Sequence, residues 1–253
     1  MKAIILAAGK GTRLFPLTKY VPKPLLVIND NKRILDYQLE VFSNFDEIKE
    51  VILVIGYKAD MIEEYILKNK DRFGVKVRTV FNPFYDVSNN LISLWLGTFF
   101  TRNDDFIITN GDNLFKEKVI EKLLQQNEGI YITIDYKDKY DEDDMKVIIK
   151  NGSVFYISKE IELDKVSAES VGIALIKGTD AREKYLNAIE TLIRNLENRN
   201  KFWLETFNYL AANNQKISFV EISKYDWLEV DFHPDYDFAK DVILKNAEKW
   251  FKS

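Results

Sequence analysis

The residues best suited to chemistry follow a short apolar segment at residues 3–6. Residues 9–13 read Gly-Lys-Gly-Thr-Arg, and Lys23 follows in a stretch that holds three of the five prolines. Glycine lets a backbone approach phosphate closely, and successive backbone N–H groups form an anion-binding nest. Arg13 offers a planar fork to phosphate oxygens, and Lys23 adds a compact positive charge. We therefore predict a phosphate-binding loop at the carboxyl edge of a sheet, where open α/β sheets bind ligands.

A tight turn is the other explanation of Gly9 and Gly11, and it would be preferred for an isolated Gly-x-Gly. The loop lacks the third glycine of a dinucleotide-binding fingerprint, and it lacks the Gly-Lys-Ser/Thr of a Walker A loop. The longer string is much more specific, because residues 9–26 contain Gly-x-Gly-Thr-Arg-Leu, Pro-Leu-Thr and Pro-Lys-Pro-Leu. This string resembles the signature of the nucleotidyltransferases that make nucleotide sugars and CDP-alcohols.

The resemblance implies that the loop wraps a nucleoside triphosphate. The nucleotide-binding residues that we predict on this basis are Leu6, Ala8, Gly9, Gly11, Thr12, Arg13, Lys23, Asn82, Asn89 and Gly111. Arg13 and Lys23 are also predicted to be catalytic, because they would neutralise phosphate charge. Lys10 lies at a position that varies in the family, so the resemblance assigns it no role.

A second set of candidate residues is acidic. Asp112 follows a strand-like apolar segment at residues 106–109, and Asp231 follows a later one. Mg²⁺ in proteins usually takes one or two carboxylates together with phosphate oxygens and waters. Taken alone, Asp112 is explained equally well by an Asx turn or a helix N-cap. The family resemblance implies that Asp112 and Asp231 hold one Mg²⁺, with Glu229 and Asp235 as neighbouring alternatives for the second ligand.

Two features bear on the second substrate. Residues 88–94 read Ser-Asn-Asn-Leu-Ile-Ser-Leu, which resembles the helix start beside the base and substrate in the phosphocholine cytidylyltransferase branch of the family. A helix N-cap at Ser88 or Asn89 explains the same residues, and both explanations can hold together. The sequence lacks the mid-chain Glu-Lys-Pro segment that hexose-1-phosphate enzymes usually carry. We predict instead that Lys146 binds the substrate phosphate and is catalytic, although a surface charge on a strand is a serious alternative.

Further candidates for the second substrate follow from its expected polar or cationic end. Aromatic faces beside a carboxylate bind quaternary ammonium groups, although most aromatic residues of this chain must serve in packing. The substrate-binding residues that we predict are Asn90, Asp112, Lys146, Glu169, Trp203 and Trp227. A smaller cation would also suit an acidic pocket, and an inositol or amino-acid phosphate stays open.

The implied reaction joins CTP, or another NTP, to a small phosphomonoester and releases pyrophosphate. A phosphomonoester has a second pKa near 6, so its attacking oxygen is anionic near neutral pH and needs no general base. Catalysis is then positioning and charge neutralisation by Mg²⁺, Lys and Arg. The composition fits this chemistry, since a chain with no Cys and one His cannot supply a thiolate nucleophile or a multi-histidine metal site.

Three other functions compete with this one. The first is a sugar-1-phosphate uridylyl- or thymidylyltransferase, with the same loop and a different acceptor pocket. The second is a regulatory nucleotide-binding domain without activity, which the presence of Arg13, Lys23 and Asp112 disfavours. The third is a Rossmann oxidoreductase, which the missing third glycine disfavours. We read the one histidine, His233, as a surface or loop residue.

The elements that must position these residues alternate between strand-like and helix-like segments. Apolar runs at residues 51–55 and 106–109 have the length of buried strands, with helix-like spacing between them. This alternation predicts an α/β fold with a Rossmann-like, mostly parallel sheet flanked by helices. The resemblance implies a GT-A-like nucleotidyltransferase fold with a small acceptor-binding β/α elaboration. We expect one domain over 1–253, with a nucleotide-binding half at 1–115 and an acceptor-binding half at 116–253.

Charge and hydropathy restrict the partners. The net charge of −4 gives no basic bias toward nucleic acid. No segment approaches the roughly 18–20 apolar residues of a membrane span. The apolar start of the chain is too short for a signal peptide and runs into the glycine loop. We expect a cytoplasmic monomer or homodimer with no nucleic-acid or membrane partner.

Overall fold

A computed structural model describes residues 1–30 and 32–250. Within these residues the strands, in chain order, are β1 (Lys2–Ala7), β2 (Val27–Asn29), β3 (Lys32–Arg33), β4 (Glu50–Ile55), β5 (Lys76–Phe81), β6 (Phe106–Asn110), β7 (Asn113–Phe115), β8 (Gly129–Asp135), β9 (Lys146–Lys150), β10 (Ser153–Ser158), β11 (Ala168–Lys177), β12 (Ser218–Glu221) and β13 (Trp227–Glu229). The α-helices of the same residues are α1 (Leu17–Tyr20), α2 (Ile34–Ser43), α3 (Ala59–Asn69), α4 (Asn90–Thr98), α5 (Glu117–Leu124), α6 (Thr179–Ile193), α7 (Glu205–Ala212) and α8 (His233–Trp250).

One sheet organises the described chain and contains nine of these strands. The strands β5, β4, β1 and β6 lie side by side and run parallel. Strand β11 joins β6 in the antiparallel direction, and from β11 the sheet continues to β8 and β12 and, at its other side, to β9 and β10. Because β1 and β6 are parallel neighbours, the segments that follow them meet at one edge of the sheet.

Apolar side chains cover both faces of the central strands. Along β1, Ala3 and Ile5 face a cluster with helices α2, α3 and α5, whereas Ile4 and Leu6 face a cluster with α4, α6 and α7. Every residue of β4 is buried. A strand covered on both sides reads as a continuous apolar run, which is the pattern at residues 51–55. The predicted mostly parallel sheet flanked by helices is confirmed.

Sequence reasoning missed strand β10 and misplaced two helix boundaries. A register shift between Val154 and Tyr156 interrupts the alternation of buried and exposed residues that marks a strand. The sequence predicts a helix over residues 180–198 and a closing helix over residues 235–252. The first of them ends at Ile193, and a 3₁₀ turn with Asn195 as its N-cap follows it. The closing helix begins at His233 and not at residue 235, and residues 251–252 of that prediction lie outside the described residues.

A short ribbon carries the end of the chain back to the edge where β1 and β6 finish. Strand β13 pairs antiparallel with β7, and the Val230 N–H donates to the Asp112 carbonyl oxygen at 3.0 Å. This pairing places Asp231 beside Asp112, although 118 residues separate them in the chain. Among the described residues, no helix combines the length and the apolarity needed to cross a membrane.

Candidate active site

A cavity of about 470 Å³ opens where β1 and β6 end. Its wall is built from the loops after these two strands, the start of α4, the first half of β11 and the end of β13. The sequence-predicted residues that line it are Leu6, Ala8, Gly9, Gly11, Thr12, Arg13, Lys23, Asn89, Asn90, Gly111, Asp112, Glu169, Trp203 and Asp231. Residues far apart in sequence thus meet at one cavity, while their individual roles stay predictions.

The glycine loop has a backbone that only glycine adopts readily at one position. Gly11 has a φ of 61°, in the left-handed region, and it precedes the 3₁₀ turn Thr12–Leu14. A Cβ on Gly11 would lie 3.2 Å from Thr18 Cγ2 and 3.3 Å from Lys23 Cε. The Thr18 hydroxyl donates to the Gly11 carbonyl oxygen at 2.7 Å. The loop is therefore packed directly against the lysine that it presents to the cavity.

The loops after β1 and β6 also touch each other. The Gly111 N–H donates to the Leu6 carbonyl oxygen at 2.8 Å. An ideal Cβ on Gly111 would lie 2.9 Å from Ala7 Cβ and 3.0 Å from the Leu6 oxygen. Contacts this short force the backbone to move, so glycine at this position sets how closely the two loops approach.

The close approach of the two loops leaves no room for a side chain at Gly111. Gly111→Ala is expected to lower the free energy of unfolding by about 1–3 kcal/mol, the usual cost of overpacking. Gly9→Ala is the matched control, because nothing among the described residues lies within 4 Å of a Cβ built there. Urea denaturation of both variants measures the difference, and equal stabilities would contradict the packing argument.

Lys23 lies between two carboxylates at the centre of the site. Its Nζ donates to Asp112 Oδ2 and to Asp231 Oδ1, each at 3.0 Å. The Arg13 guanidinium pairs with the other oxygen of Asp231, Oδ2. Two cations and two carboxylates thus form one continuous network, which we call the Lys23 network: Arg13, Lys23, Asp112 and Asp231.

The charged forms of this network stabilise each other. Burial alone would lower the pKa of Lys23, but the carboxylates of Asp112 and Asp231 raise it well above its ordinary value. Burial opposes ionisation of Asp231 as well, yet Lys23 and Arg13 hold the pKa of its carboxyl below the ordinary value. Both cations are therefore available to a phosphate ligand at neutral pH.

A third carboxylate, Glu229, borders the same network. It lines the cavity two residues before Asp231. The loss of water around its carboxyl group raises the pKa of Glu229, and the negative charges of Asp112 and Asp231 raise it further. No hydrogen bond or ion pair of the Glu229 side chain is found within the described chain. Sequence reasoning considered Glu229 only as an alternative metal ligand.

The carboxylates of the network suit a hard cation. Asp112 Oδ1 is buried and accepts no hydrogen bond from the residues that the structure describes. Buried polar atoms are ordinarily paired, so an orphaned carboxylate oxygen indicates a place for a donor or a cation. The described residues contain no group of three His, Cys, Asp or Glu placed to hold a metal. Two carboxylates are the donor set that Mg²⁺ takes when phosphate oxygens complete its shell.

Comparison with known proteins identifies the family. Residues 2–152 match the nucleotidyl transferase family. The chain belongs to the nucleotidyl transferase family. The CTP:phosphoglutamine cytidylyltransferase of Campylobacter jejuni is 28% identical over 262 aligned positions. The alignment covers 94% of this chain and 98% of that protein. The choline-phosphate cytidylyltransferase of Streptococcus pneumoniae is 44% identical over 96 residues, which cover 38% of each chain.

A solved structure shows the same architecture. The inositol-1-phosphate CTP transferase from T. maritima superposes with a TM-score of 0.77 at 19% identity, and the match covers 96% of each chain. At this identity the likeness shows the fold alone. The family and the GT-A-like nucleotidyltransferase fold that the glycine loop predicted are confirmed.

Two asparagines fix the position of Trp203 in the wall of this nucleotidyl transferase site. The Trp203 N–H donates to Asn90 Oδ1 at 2.8 Å, and Trp203 Nε1 donates to Asn110 Oδ1 at 3.0 Å. Trp203 is only 1% exposed, and its ring packs edge-on against Phe207 with centroids 5.6 Å apart. Trp203 therefore shapes the wall and presents little of its ring face to the cavity. Sequence reasoning missed Asn110, because its strand-end position carries no distinctive motif.

Three predicted site residues lie outside the lining of this cavity in the described chain. Lys146 is 2% exposed, and its Nζ donates to the carbonyl oxygens of Glu142 and Lys159. Its ammonium therefore contacts the backbone, and Lys146 lies outside the cavity where its predicted role at the substrate phosphate would place it.

Asn82 and Trp227 also lie outside the cavity lining. The buried Asn82 donates through Nδ2 to Ser93 Oγ at 3.0 Å and accepts from the Phe84 N–H, so it positions the segment before α4. The Trp227 ring belongs to the core, and its Nε1 donates to Asp135 Oδ2 at 3.0 Å. Both side chains make their hydrogen bonds to neighbouring residues inside the fold.

Lys159 lines the cavity where Lys146 was expected to do so. Its nearest ionic partner in the described chain is Asp143, at 3.9 Å. The positive charge of Lys159 also contributes to holding the pKa of Asp231 down. Its sequence context offered no signal, because Lys159 follows the strand that the sequence pattern did not reveal.

Glu169 is a buried carboxylate in the cavity wall. It is 5% exposed, and its Oε2 lies 2.6 Å from Lys137 Nζ, which also contacts Asp144 at 2.9 Å. Burial raises the pKa of Glu169 to about 7, because the ion pair with Lys137 only partly offsets the burial. The predicted acceptor residue is thus held in place by a lysine that sequence reasoning did not identify.

A pH dependence of stability follows from Glu169. Its folded pKa of about 7 lies above the ordinary 4.5, so the folded protein keeps a proton that the unfolded chain loses. The Glu169 contribution to stability therefore falls as pH rises from about 4.5 to about 7, by at most about 3 kcal/mol. Glu169→Gln is expected to remove this decrease, measured by urea denaturation across that range. Identical pH profiles for wild type and Glu169→Gln would contradict the shift, and the exposed Glu183→Gln serves as the control.

Proposed function

We propose that the protein transfers a cytidylyl group from CTP to a small phosphorylated alcohol or amine. The products are a CDP-linked compound and pyrophosphate. The main structural support for nucleotidyl transfer is the Lys23 network, which lies beside the glycine loop. The choice of CTP is supported by the similarity along nearly the whole chain to a CTP:phosphoglutamine cytidylyltransferase.

The bond changes of this reaction are simple. A phosphate oxygen of the acceptor attacks the α-phosphorus of CTP, the bond to the β-phosphate oxygen breaks, and pyrophosphate leaves with that electron pair. In our proposal the backbone N–H groups around Gly9 and Gly11 hold the triphosphate, and Arg13 and Lys23 neutralise it. Fixed donors aimed at developing charge lower the barrier because they need no reorganisation during the reaction.

We infer that Asp112 and Asp231 would hold Mg²⁺ in the loaded enzyme. Their donor chemistry and the orphaned Asp112 oxygen fit that ion. Bound there, Mg²⁺ would supply further neutralisation of phosphate charge. A cytoplasmic location and a monomeric or homodimeric state stay predictions from the sequence.

Lys159 replaces Lys146 as the proposed ligand of the acceptor phosphate. Lys159→Ala is expected to raise the KM for the acceptor about 10- to 100-fold, the value of one hydrogen bond to a charged group. The KM for CTP should change much less, since the glycine loop holds that substrate. Lys146→Met should lower the melting temperature and raise the acceptor KM of the folded enzyme less than Lys159→Ala does, because Lys146 contacts only the backbone of Lys159. Steady-state kinetics decides, and a raised acceptor KM in Lys146→Met alone would restore the sequence prediction.

The experiment for the function itself is a matrix of substrates. Four NTPs are each combined with phosphorylated choline, ethanolamine, aminoethyl, inositol and hexose compounds, and pyrophosphate release is measured with Mg²⁺. We expect turnover with CTP and a small alcohol or amine phosphate. Turnover only with UTP or dTTP and a hexose phosphate would replace our proposal by the sugar-nucleotide alternative.

A further inference from the structure

The two carboxylates proposed as metal ligands are already engaged by the protein's own cations. Lys23 Nζ lies 3.0 Å from an oxygen of Asp112 and 3.0 Å from an oxygen of Asp231. Arg13 takes the second oxygen of Asp231. Of the four carboxylate oxygens, Asp112 Oδ1 alone has no donor among the described residues. The Lys23 ammonium thus lies where a cation shared by both carboxylates would lie.

The position of Lys23 is fixed by packing as well as by charge. Its side chain is buried, and its stem packs against Gly11 of the glycine loop. The network holds two positive and two negative charges, so it is balanced as it stands. A divalent cation that entered without an anion would face Lys23 and Arg13 at close range, and their repulsion is weakly screened in a partly buried site.

A triphosphate changes this balance. Its negative charges can take both Lys23 and Arg13 from the aspartates, since the glycine loop that presents phosphate-binding N–H groups lies beside them. The carboxylates are then free to accept a cation, and that cation is attracted by the phosphates as well. Each ligand therefore relieves the charge imbalance that the other creates.

We propose that Lys23 is an internal counter-ion that keeps divalent metal off Asp112 and Asp231 until a nucleotide triphosphate draws the lysine away. This inference rests on the proposed nucleotide site. It makes metal and nucleotide bind as a coupled pair, and by linkage each must raise the affinity for the other by the same factor. Lys23 is then a positioning residue for the metal in addition to a ligand of the phosphates.

The test measures metal affinity in the absence of nucleotide. Mn²⁺ is the probe, because it shares the oxygen-ligand preference of Mg²⁺ and its free form is counted by electron paramagnetic resonance. We expect Lys23→Met to bind Mn²⁺ at least about tenfold more tightly than wild type, within the usual range of coupling. Lys23→Arg keeps the charge and should bind Mn²⁺ as weakly as wild type. Lys159→Met is the matched control, since it removes a cavity charge that acts on Asp231 only through space, and its gain in Mn²⁺ affinity should be smaller.

The second part of the test measures Mn²⁺ binding in the presence of CTP. Addition of CTP should tighten Mn²⁺ binding more in wild type than in Lys23→Met, because the phosphates attract the cation in both proteins but only wild type has a lysine to displace. Unchanged or weaker Mn²⁺ affinity in nucleotide-free Lys23→Met would overturn the proposal, as would an equal gain in Lys159→Met.

Two safeguards keep the result interpretable. If Lys23→Met does not fold, Lys23→Gln takes its place, because it removes the same charge and keeps a polar head group beside Asp112 and Asp231. Lys23→Gln should also bind Mn²⁺ more tightly than wild type, and no change would overturn the proposal. Failure of the proposed function is a separate outcome, seen as absence of pyrophosphate release from any NTP while the Mn²⁺ affinity still rises in the variant.

Discussion

Asp112→Asn is expected to lower kcat for pyrophosphate release about a thousandfold, since a metal–phosphate contact is worth several kcal/mol of barrier. The change is isosteric and removes one negative charge. Asp112 contributes the orphaned Oδ1 and the Oδ2 that pairs with Lys23. An amide oxygen is a weaker ligand for a hard cation, and the amide nitrogen would face the lysine. Both effects disorder the charge arrangement on which the proposed chemistry depends.

The control for this variant is Asp180→Asn. Asp180 lies at the start of α6 and pairs with Lys184 on the surface. It undergoes the same chemical change outside the cavity lining, so kcat should stay at the wild-type value. A melting curve of Asp112→Asn shows whether the fold is intact, and a folded variant with a near-normal rate would remove Asp112 from the mechanism.

Lys23→Ala is expected to lower kcat/KM for CTP about 100- to 1000-fold, the range observed when one preorganised donor is removed. The lysine is the buried cation of the network, and its charge is held by two carboxylates. Without it, Asp112 and Asp231 repel the triphosphate and each other. Loss of rate should therefore exceed what the removal of a surface lysine causes.

The matched change is Lys184→Ala, an exposed lysine that pairs only with Asp180 among the described residues. Its kinetics should equal those of wild type. Lys23→Arg should recover part of the lost rate, because the charge is retained on a larger head group. Rates for Lys23→Ala close to wild type would show that the network is structural and takes no part in phosphate binding.

The part of the cavity wall that the glycine loop builds was predictable because its signals are local. Gly9, Gly11, Arg13 and Lys23 lie within one short stretch, and the spacing of glycines and prolines there is specific. The meeting of this loop with Asp112 followed from one general rule, that parallel strands end at the same edge of a sheet. Fold and family were therefore accessible from the first half of the chain.

The acceptor half was less predictable because its geometry depends on strand register. Lys146 and Glu169 are direct cross-strand partners of β9 and β11, yet the ion pair of Glu169 is with Lys137. A sequence pattern cannot show that Lys146 turns toward carbonyl oxygens while Lys159 faces the cavity. The bulge in β10 removed the alternation that would have revealed the strand before Lys159.

Phosphorus NMR of one reaction mixture tests the central claim most directly. The purified protein is incubated with CTP, Mg²⁺ and the acceptor that the substrate matrix selects. The account predicts that the phosphomonoester and CTP signals fall together while pyrophosphate and an unsymmetrical diphosphate appear in equal amounts. Formation of CMP and pyrophosphate without the diphosphate, or persistence of all starting signals, would contradict it.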